Sequence, residues 1–290
     1  MSSSSLGLDE TVFPLRERLR TAGVPDPRVL FLMGTGVGFL PGRLGDALVV
    51  ELGELCGACE PWNSQVLHTG RLGALPVWLL EDVSDEPLLD EPASPWVRAM
   101  PVWLAAAAGA VVCVHTSAGS ALAHEPEGRL RVPGLAALRD HINFSGTTPL
   151  LGLGESRLGP LFPDLTHLHH AGLRAAALER AEALGIPAEE AIAACTLGPA
   201  LETRAERTMF ARLGASVAVP NLAAPLLAAG HAGLAVLALV AMTDARADGA
   251  DVKSVVAAAS RLQPALEDLL LALVPALEET AAALLAESGV

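Results

Sequence analysis

Two long runs without a charged side chain do most to limit how this chain can fold. Residues 99–124 and 213–243 contain no Asp, Glu, Lys or Arg, and about 20 apolar residues are enough to span a bilayer. Both runs are interrupted by turn-forming or polar residues, in the second case by Pro220, Asn221, Pro225, Gly230, His231 and Gly233. Short apolar pieces separated by turns are typical of a parallel sheet buried on both faces. We therefore predict a soluble α/β protein.

Length and charge narrow the class of protein further. The chain has 290 residues without a Ser/Gly/Pro-rich linker, so we expect one domain over residues 1–290. Its formal net charge of −14 argues against nucleic acid or an anionic membrane as a partner, because both require a concentrated basic surface. Residues 1–10 have neither the basic region nor the apolar segment of a secretory signal, which favours a cytoplasmic location.

Two predicted strands are followed by a carboxylate. The apolar run 191–195 leads through a Gly-Pro turn to Glu202, just before a predicted helix over 203–213, and the run 234–243 stops at Asp244. In open α/β sheets ligands bind at the carboxyl ends of the strands, so both acids are candidate ligand groups. The alternative for Glu202 is an acid that interacts favourably with the helix dipole. The charged residues that follow it, Arg204, Glu206 and Arg207, are spaced for a solvated helix face.

A glycine loop follows the first predicted strand, residues 29–33. Residues 34–38 read Gly-Thr-Gly-Val-Gly, and such a loop can present backbone N–H groups to an anion, with the Thr35 hydroxyl as a further donor. The loop alone is a weak signal, because it lacks dinucleotide-binding spacing. Helices are predicted over 10–22, around 43–56 and over 95–108.

Six segments, taken together and in chain order, resemble the trimeric purine nucleoside phosphorylase family. They are residues 34–38, 68–72 (His-Thr-Gly-Arg-Leu), 116–119 (Thr-Ser-Ala-Gly), 140–143 (Asp-His-Ile-Asn), Glu202 and Asp244. The resemblance implies an α/β fold with a mixed, mostly parallel central sheet flanked by helices, assembled as a homotrimer. It also implies phosphorolysis of a purine nucleoside to free base and pentose 1-phosphate, with phosphate as co-substrate and no other cofactor.

The resemblance assigns roles to individual residues. The residues expected at phosphate are Gly34, Thr35, Gly36, His68 and Ser117. Those expected at the purine and ribose are Ala118, Leu201, Glu202, Asn221 and Thr243. Asp244 and His68 are the expected catalytic residues, and a protonated Asp244 would donate to purine N7 as a general acid. Glu202 favours 6-oxopurines and Asp244 favours 6-aminopurines, so the preferred base stays open.

One segment departs from the family pattern. Where the family has an arginine and a histidine that hold phosphate, near Val83 and Asp85, residues 81–91 carry six carboxylates. Carboxylates repel phosphate, so we expect weak phosphate binding unless another arginine compensates, Arg71 being the nearest in sequence. The alternatives are a relative that binds a nucleoside with little phosphorolysis, one that uses water as the nucleophile, or a structural trimer. In the family an aromatic residue covers the neighbouring subunit's ribose, a role for Phe144.

The cysteines and histidines predict no metal site. Cys56 and Cys59 form a single Cys-x-x-Cys pair with no second pair. His167, His169 and His170 fall on a helix predicted to begin near residue 162, and histidines at i, i+2 and i+3 do not share one helix face. The other cysteines, Cys113 and Cys195, lie in apolar runs and are expected to be buried hydrophobes.

Overall fold

A single sheet organises the described part of the chain. The computed structural model describes residues 6–34, 38–54, 62–82, 94–122, 132–244 and 252–288. The strands are β1 Val29–Met33, β2 Gly45–Glu51, β3 Val66–Leu72, β4 Leu75–Glu81, β5 Val112–Ala121, β6 Gly134–Asn143, β7 Ala188–Thr196, β8 Val217–Pro220 and β9 Ala235–Asp244. The α-helices are α1 Leu8–Thr21, α2 Met100–Ala107, α3 Ala171–Ala183, α4 Arg204–Arg212, α5 Ala223–His231, α6 Val252–Ala272 and α7 Val274–Ser288.

The strand order is β2-β3-β4-β1-β5-β8-β7-β6-β9, and β5 pairs with β9 as well. That additional pairing closes β5, β8, β7, β6 and β9 into a ring. Five of the pairs are parallel, namely β1–β4, β1–β5, β5–β9, β6–β7 and β7–β8, and four are antiparallel. The predicted fold class, a mixed and mostly parallel sheet with helices around it, is confirmed.

Side chains on alternating strand positions enter two separate cores. In β1, Leu30 and Leu32 pack with α1 and α2 on one face, whereas Val29, Phe31 and Met33 pack with α6 and α7 on the other. Because every residue of β1 is buried, its sequence is continuously apolar, as expected for a strand covered on both faces. The buried Cys113 and Cys195 are free thiols in strands, as predicted. Burial raises the pKa of each to about 12.

Two sequence predictions about local structure are wrong. The helix expected around 43–56 is in fact the strand β2, an edge strand paired with β3 alone among the described strands, and most of its side chains are exposed. The helix expected from residue 162 begins only at Ala171, where the His170 ring accepts the Leu173 N–H as its N-terminal cap. His167 and His169 therefore precede the helix.

The two uncharged runs divide as predicted into short elements, α2 with β5 in the first and β8, α5 and β9 in the second. Within the described residues, no individual helix has the length and apolar character required to cross a bilayer. One bent pair, Ala257–Ala272 with Val274–Glu287 at 48°, passes that test by length and composition only.

Candidate functional site

The carboxylate of Glu202 is held in place before any ligand arrives. Its side chain is 4% exposed and accepts the Thr196 hydroxyl at 3.0 Å through Oε1, while the Arg207 Nη1 lies 4.0 Å from Oε2. Thr196 ends β7 and Arg207 lies in α4, so the strand and the helix both fix the acid. A partly buried acid with two partners is a prepared hydrogen-bond acceptor rather than a solvated surface group.

The hydrogen bonds that cap the N-terminus of α4 come from Thr203 and Glu206 rather than from Glu202. Thr203 accepts the Glu206 N–H at 3.2 Å, and the Glu206 carboxylate accepts the Thr203 N–H at 2.7 Å, which forms a capping box. Arg207, expected on a solvated face, is only 11% exposed. Its Nη2 donates to the carbonyl of Ala121 at 2.7 Å, so it connects α4 to the end of β5.

Asn221 supports the turn that carries Glu202. Its Oδ1 accepts the Gly198 N–H at 3.0 Å, and its own N–H donates to the Thr196 carbonyl at 2.8 Å. A φ of 58° places it in the left-handed region, which asparagine tolerates better than most residues. Leu201 in the same turn is 42% exposed. We call Thr196, Glu202, Arg207 and Asn221 the Glu202 cluster.

The end of β5 lies beside this cluster through the strand β8. Thr196 pairs with Pro220 of β8, and Ala218 of β8 pairs with Ser120 of β5. The antiparallel β5–β8 pairing covers Ser120 and Ala121. Ser117 and Ala118, which precede these residues in β5, are partly exposed. Strand β8 therefore lies between the end of β7 that carries Thr196 and the end of β5.

Thr243 and Asp244 lie at the end of β9, which pairs with β5. The Thr243 hydroxyl is buried and donates to the Gly119 carbonyl at 3.2 Å. The register shifts between Gly119 and Ser120, so that Ser120 pairs with Asp244. Asp244 thus has a defined backbone position at the end of β9, whereas its side chain lies outside the described part.

Gly34 is fixed against β5 at the start of the glycine loop. Its N–H donates to the Thr116 carbonyl at 2.9 Å, with the Thr116 hydroxyl at 3.2 Å. A Cβ at residue 34 would meet that carbonyl oxygen at less than contact distance and would lie 3.2 Å from the Ser117 Cα. Only glycine permits this approach. Thr35 and Gly36 lie outside the described residues.

A cleft of about 570 Å³ opens beside Gly34. Its lining includes Met33, His68, Glu81 and Gln263, and no Arg or Lys is present among the described residues that line it. Burial lowers the pKa of His68, which favours the neutral imidazole at neutral pH. We call this cavity the His68 cleft.

Helix α6 forms one wall of the His68 cleft. The Glu267 carboxylate accepts the Phe39 N–H at 2.9 Å and the Gln263 amide at 3.3 Å. Gln263 itself lines the cleft and would lie 3.2 Å from a Cβ at Gly38. The chain after the glycine loop is thereby attached to a helix near the other end of the sequence.

One of the acids expected to repel phosphate is already paired. Asp82 Oδ2 lies 2.7 Å from His115 Nε2, with side chains that are 9% and 1% exposed. Ser117 Oγ lies 3.5 Å from the other ring nitrogen of His115. Asp82 is therefore hydrogen-bonded inside the protein, and it is not among the described residues that line the His68 cleft. His115 was not singled out from the sequence, since nothing local links residues 82 and 115.

Arg71 does not supply the missing cation. It lies at the end of β3 opposite Pro76, three residues along the strand from His68, and its guanidinium donates to the Ala74 carbonyl in the β3–β4 turn. Glu81 is exposed at the end of β4, and Val83 and Asp85 lie outside the described residues. Phe144 is 37% exposed and packs on Phe210, with ring centroids 4.8 Å apart.

His169 lies beside two side chains that were not predicted to be near it, His141 and Asp140. Its Nε2 lies 3.2 Å from Nδ1 of His141, and Asp140 lies close to both rings. Burial lowers the pKa of His141 and lowers that of His169 to about 4. These lowered pKa values favour the neutral form of both rings at neutral pH. His167, His169 and His170 do not lie on one helix, contrary to the prediction, because α3 begins only at Ala171.

Comparison with known proteins gives one consistent relationship. The sequence profile of the Phosphorylase superfamily matches residues 44–275. The chain is 26% identical over 226 residues to purine nucleoside phosphorylase 1 of Bacillus subtilis (strain 168), covering 76% of this chain and 80% of that protein. It is 31% identical over 232 residues to the purine nucleoside phosphorylase of Anopheles gambiae, covering 75% of this chain and 62% of that protein.

Solved structures agree in fold. A Schistosoma purine nucleoside phosphorylase in complex with hypoxanthine superimposes with a TM-score of 0.81 at 20% identity, covering 93% of this chain and 98% of that one. A Schistosoma mansoni purine nucleoside phosphorylase in complex with adenosine gives a TM-score of 0.79 at the same identity and coverage. Since the superfamily profile extends over most of the sequence, this chain belongs to the phosphorylase superfamily.

Proposed function

We propose that this protein is a purine nucleoside phosphorylase, which converts a purine ribonucleoside or deoxyribonucleoside and phosphate into free base and pentose 1-phosphate. The observation that carries the proposal is the Glu202 cluster, in which a buried carboxylate is fixed by a hydroxyl and a guanidinium beside the end of β5. The curated relatives named above are purine nucleoside phosphorylases, which supports the same reaction class.

In this proposal the Glu202 cluster binds the base. A carboxylate with both oxygens oriented accepts hydrogen bonds from purine N–H groups. As the bond between C1′ and the purine breaks, negative charge develops on the base, and a protonated Asp244 donates to N7. Ala118, Leu201, Asn221 and Thr243 form the remaining base and sugar contacts. Phosphate approaches C1′ from the side of Gly34, Thr35, Gly36, His68 and Ser117.

A second candidate function follows from the charge of the His68 cleft. The described lining has an exposed carboxylate, Glu81, a histidine favoured in its neutral form, and no arginine or lysine. A phosphate dianion gains most from charge-assisted hydrogen bonds, which this lining lacks. A family member that binds a purine nucleoside with slow phosphorolysis, or that transfers the pentose to water, fits that lining better.

The two functions separate in one assay. Inosine, guanosine, adenosine and methylthioadenosine are incubated with the protein in the presence and absence of phosphate, and both free base and pentose 1-phosphate are measured. Phosphorolysis gives both products and depends on phosphate, whereas hydrolysis gives free base at the same rate without phosphate. Base release unchanged in Glu202→Gln would contradict the proposed role of the Glu202 cluster.

The assembly and location are part of the same proposal. We propose one phosphorylase-like domain that forms a homotrimer in the cytoplasm, with Phe144 at a subunit contact. Phe144 is partly exposed in the single chain, which is compatible with further burial by a neighbour. Light scattering over a range of concentrations tests the trimer, and a monomeric mass throughout would contradict it.

A further inference from the structure

Three potential metal ligands meet where β6 passes the segment that leads into α3. Asp140 and His141 are consecutive in β6, and His169 lies two residues before the first residue of the helix. One ligand atom from each side chain lies within 4.8 Å of the others. Asp140 is exposed, His141 is partly buried and His169 is 8% exposed. An ion from solvent can therefore reach a group whose deeper ligand is shielded.

Strand β6, which carries Asp140 and His141, is held in the sheet by its pairing with β7. The β6–β7 register shifts between Leu138 and Asp140, after which Asp140 pairs with Ile192 and His141 with Ala193. The shift marks an irregularity of the bulge type, which re-aims side chains. One oxygen of Asp140, Oδ1, accepts the His141 N–H at 2.8 Å and limits the rotation of the carboxylate.

His169 is fixed by a neighbouring strand. Its backbone forms a parallel bridge to Val236 of β9, and its carbonyl accepts the Arg174 Nη1 at 3.4 Å. The pairing between β6 and β9 ends at Ala137 and Leu239. His169 pairs with β9 at Val236, beyond the point where the pairing with β6 ends. Ligands that project from such backbone anchors are positioned before an ion binds.

The separation of the imidazole nitrogens suits a shared ion. His141 Nδ1 and His169 Nε2 lie 3.2 Å apart. Two nitrogens at about 2.0–2.1 Å from a tetrahedral Zn²⁺ lie roughly 3.3–3.4 Å from each other. Without an ion, one ring donates a hydrogen bond to the other. Coordination moves that proton to the outer nitrogen of the ring and requires both rings to rotate so that their lone pairs point at the ion.

We propose that Asp140, His141 and His169 bind one divalent transition-metal ion, which joins β6 to the segment preceding α3. Two imidazole nitrogens and one carboxylate oxygen are typical ligands of Zn²⁺, with a water in the fourth position. Mg²⁺ and Ca²⁺ are disfavoured, because they prefer oxygen ligands. This site is separate from the Glu202 cluster and the His68 cleft and does not depend on the proposed function.

The surroundings of His169 set the expected affinity. Its Nδ1 is buried without a hydrogen-bond partner in the described part of the chain. Metal-bound histidines usually donate this second nitrogen to an acceptor, and loss of that contact typically weakens binding by about 10- to 100-fold. We therefore expect a micromolar rather than a nanomolar dissociation constant for Zn²⁺.

The test uses the full chain after removal of metal with a chelator. Zn²⁺ is titrated by calorimetry, and Co²⁺ serves as a spectroscopic probe whose visible absorption reports tetrahedral coordination. We expect one equivalent of Zn²⁺ and, at saturation, a rise in Tm of about 3–6 °C, because an ion that binds only the folded state stabilises it. His141→Ala and His169→Ala are expected to weaken binding at least tenfold.

Control variants decide the location of the ion. Asp140→Asn changes an exposed side chain, so its expected severalfold loss of affinity cannot be attributed to misfolding. His167→Ala removes a nearby histidine outside the proposed site and should bind like the wild type. A Cys56→Ser, Cys59→Ser double variant should also bind normally. The proposal is overturned if the wild type binds no Zn²⁺ at sub-millimolar concentration, or if binding survives Asp140→Asn and His141→Ala unchanged but is lost in the cysteine variant.

Discussion

The Glu202 cluster and the His68 cleft differ in whether their carboxylate has a cation nearby. In the cluster, the buried acid has a hydroxyl at 3.0 Å and a guanidinium at 4.0 Å. In the cleft, the acid Glu81 is exposed, and the described lining contains no arginine or lysine. A prepared acceptor can bind N–H groups of a base with little reorganisation, whereas the cleft offers a dianion few compensating donors. The charge of each region can therefore change independently of the other.

The largest expected effect comes from removing the carboxylate of Glu202. Glu202→Ala deletes the proposed purine acceptor, and two lost charge-assisted hydrogen bonds of roughly 1.5–3 kcal/mol each would weaken purine binding by about 10² to 10⁴. The free energy of unfolding should also fall by about 1–3 kcal/mol, because the Thr196 hydroxyl loses its acceptor and Arg207 loses a nearby anion. Calorimetric titration with purines and chemical denaturation measure the two effects.

The matched control is Glu206→Ala, which removes an acid from the exposed face of the same helix terminus. It disrupts the capping box and should leave purine binding unchanged. Equal losses of purine affinity in both variants would mean that the helix terminus, rather than the carboxylate of Glu202, supports binding.

The next effect is a gain of phosphate affinity in Glu81→Arg. The substitution removes a negative charge from the His68 cleft and adds a donor, which should strengthen phosphate binding by about 10- to 100-fold. Titration with phosphate in the presence of a purine measures it. Glu179→Arg, which makes the same charge change on α3, controls for the net charge of the protein. Equal gains in both variants would indicate a general electrostatic effect and contradict a specific role for the His68 cleft in phosphate binding.

The third prediction distinguishes two adjacent acids. Asp82→Asn disrupts the pair with His115 and should lower the free energy of unfolding by about 1.5–3 kcal/mol, the usual range for a hydrogen bond to a charged group. Phosphate affinity should change by less than about twofold, since Asp82, unlike Glu81, is not among the described residues that line the His68 cleft. Glu81→Gln should do the reverse, with little effect on stability and a severalfold gain in phosphate affinity. A large gain in Asp82→Asn would show that its charge does reach the anion.

The smallest effect concerns pH. Burial lowers the pKa of His68, so the folded protein takes up this proton at lower pH than the unfolded chain does. The contribution of His68 to stability is therefore present above the ordinary histidine pKa and is lost as pH falls through the lowered value. Over the same interval, phosphate affinity should rise severalfold as the imidazole becomes a cation. Titrations between about pH 5 and 8 with the wild type and His68→Gln test this, and parallel slopes would exclude His68 as the responsive group.

Elements that are continuously apolar were predictable from the sequence. Residues 29–33 were predicted as a buried strand and form β1. The edge strand β2 was mistaken for a helix, because its exposed side chains give no burial pattern and its pairing with β3 is a tertiary contact. The start of α3 was missed because the cap is a histidine, His170, rather than one of the usual N-cap residues.

The residues of the candidate site also differ in whether the sequence predicts their positions. The position of Glu202 between β7 and α4 was predictable, because a strand, a Gly-Pro turn and a helix follow one another locally. The burial of Arg207 was missed, since its spacing on the helix is that of a surface residue and its contacts with Ala121 and Glu202 form only in the folded chain. The pairs Asp82–His115 and His141–His169 are separated by 33 and 28 residues, and they form only because the sheet brings distant segments together.

The contact between Phe39 and α6 in the wall of the His68 cleft affects the order in which parts of the protein can form during synthesis. The Phe39 N–H and the Glu267 carboxylate that joins it to α6 are 228 residues apart. At a synthesis rate of 5–20 residues per second, roughly 10–45 s pass between the appearance of these two groups. During that interval β2 through β9 are synthesised, while the apolar face that α6 later covers stays open. A nascent chain therefore acquires the residues of the Glu202 cluster before it can complete the His68 cleft.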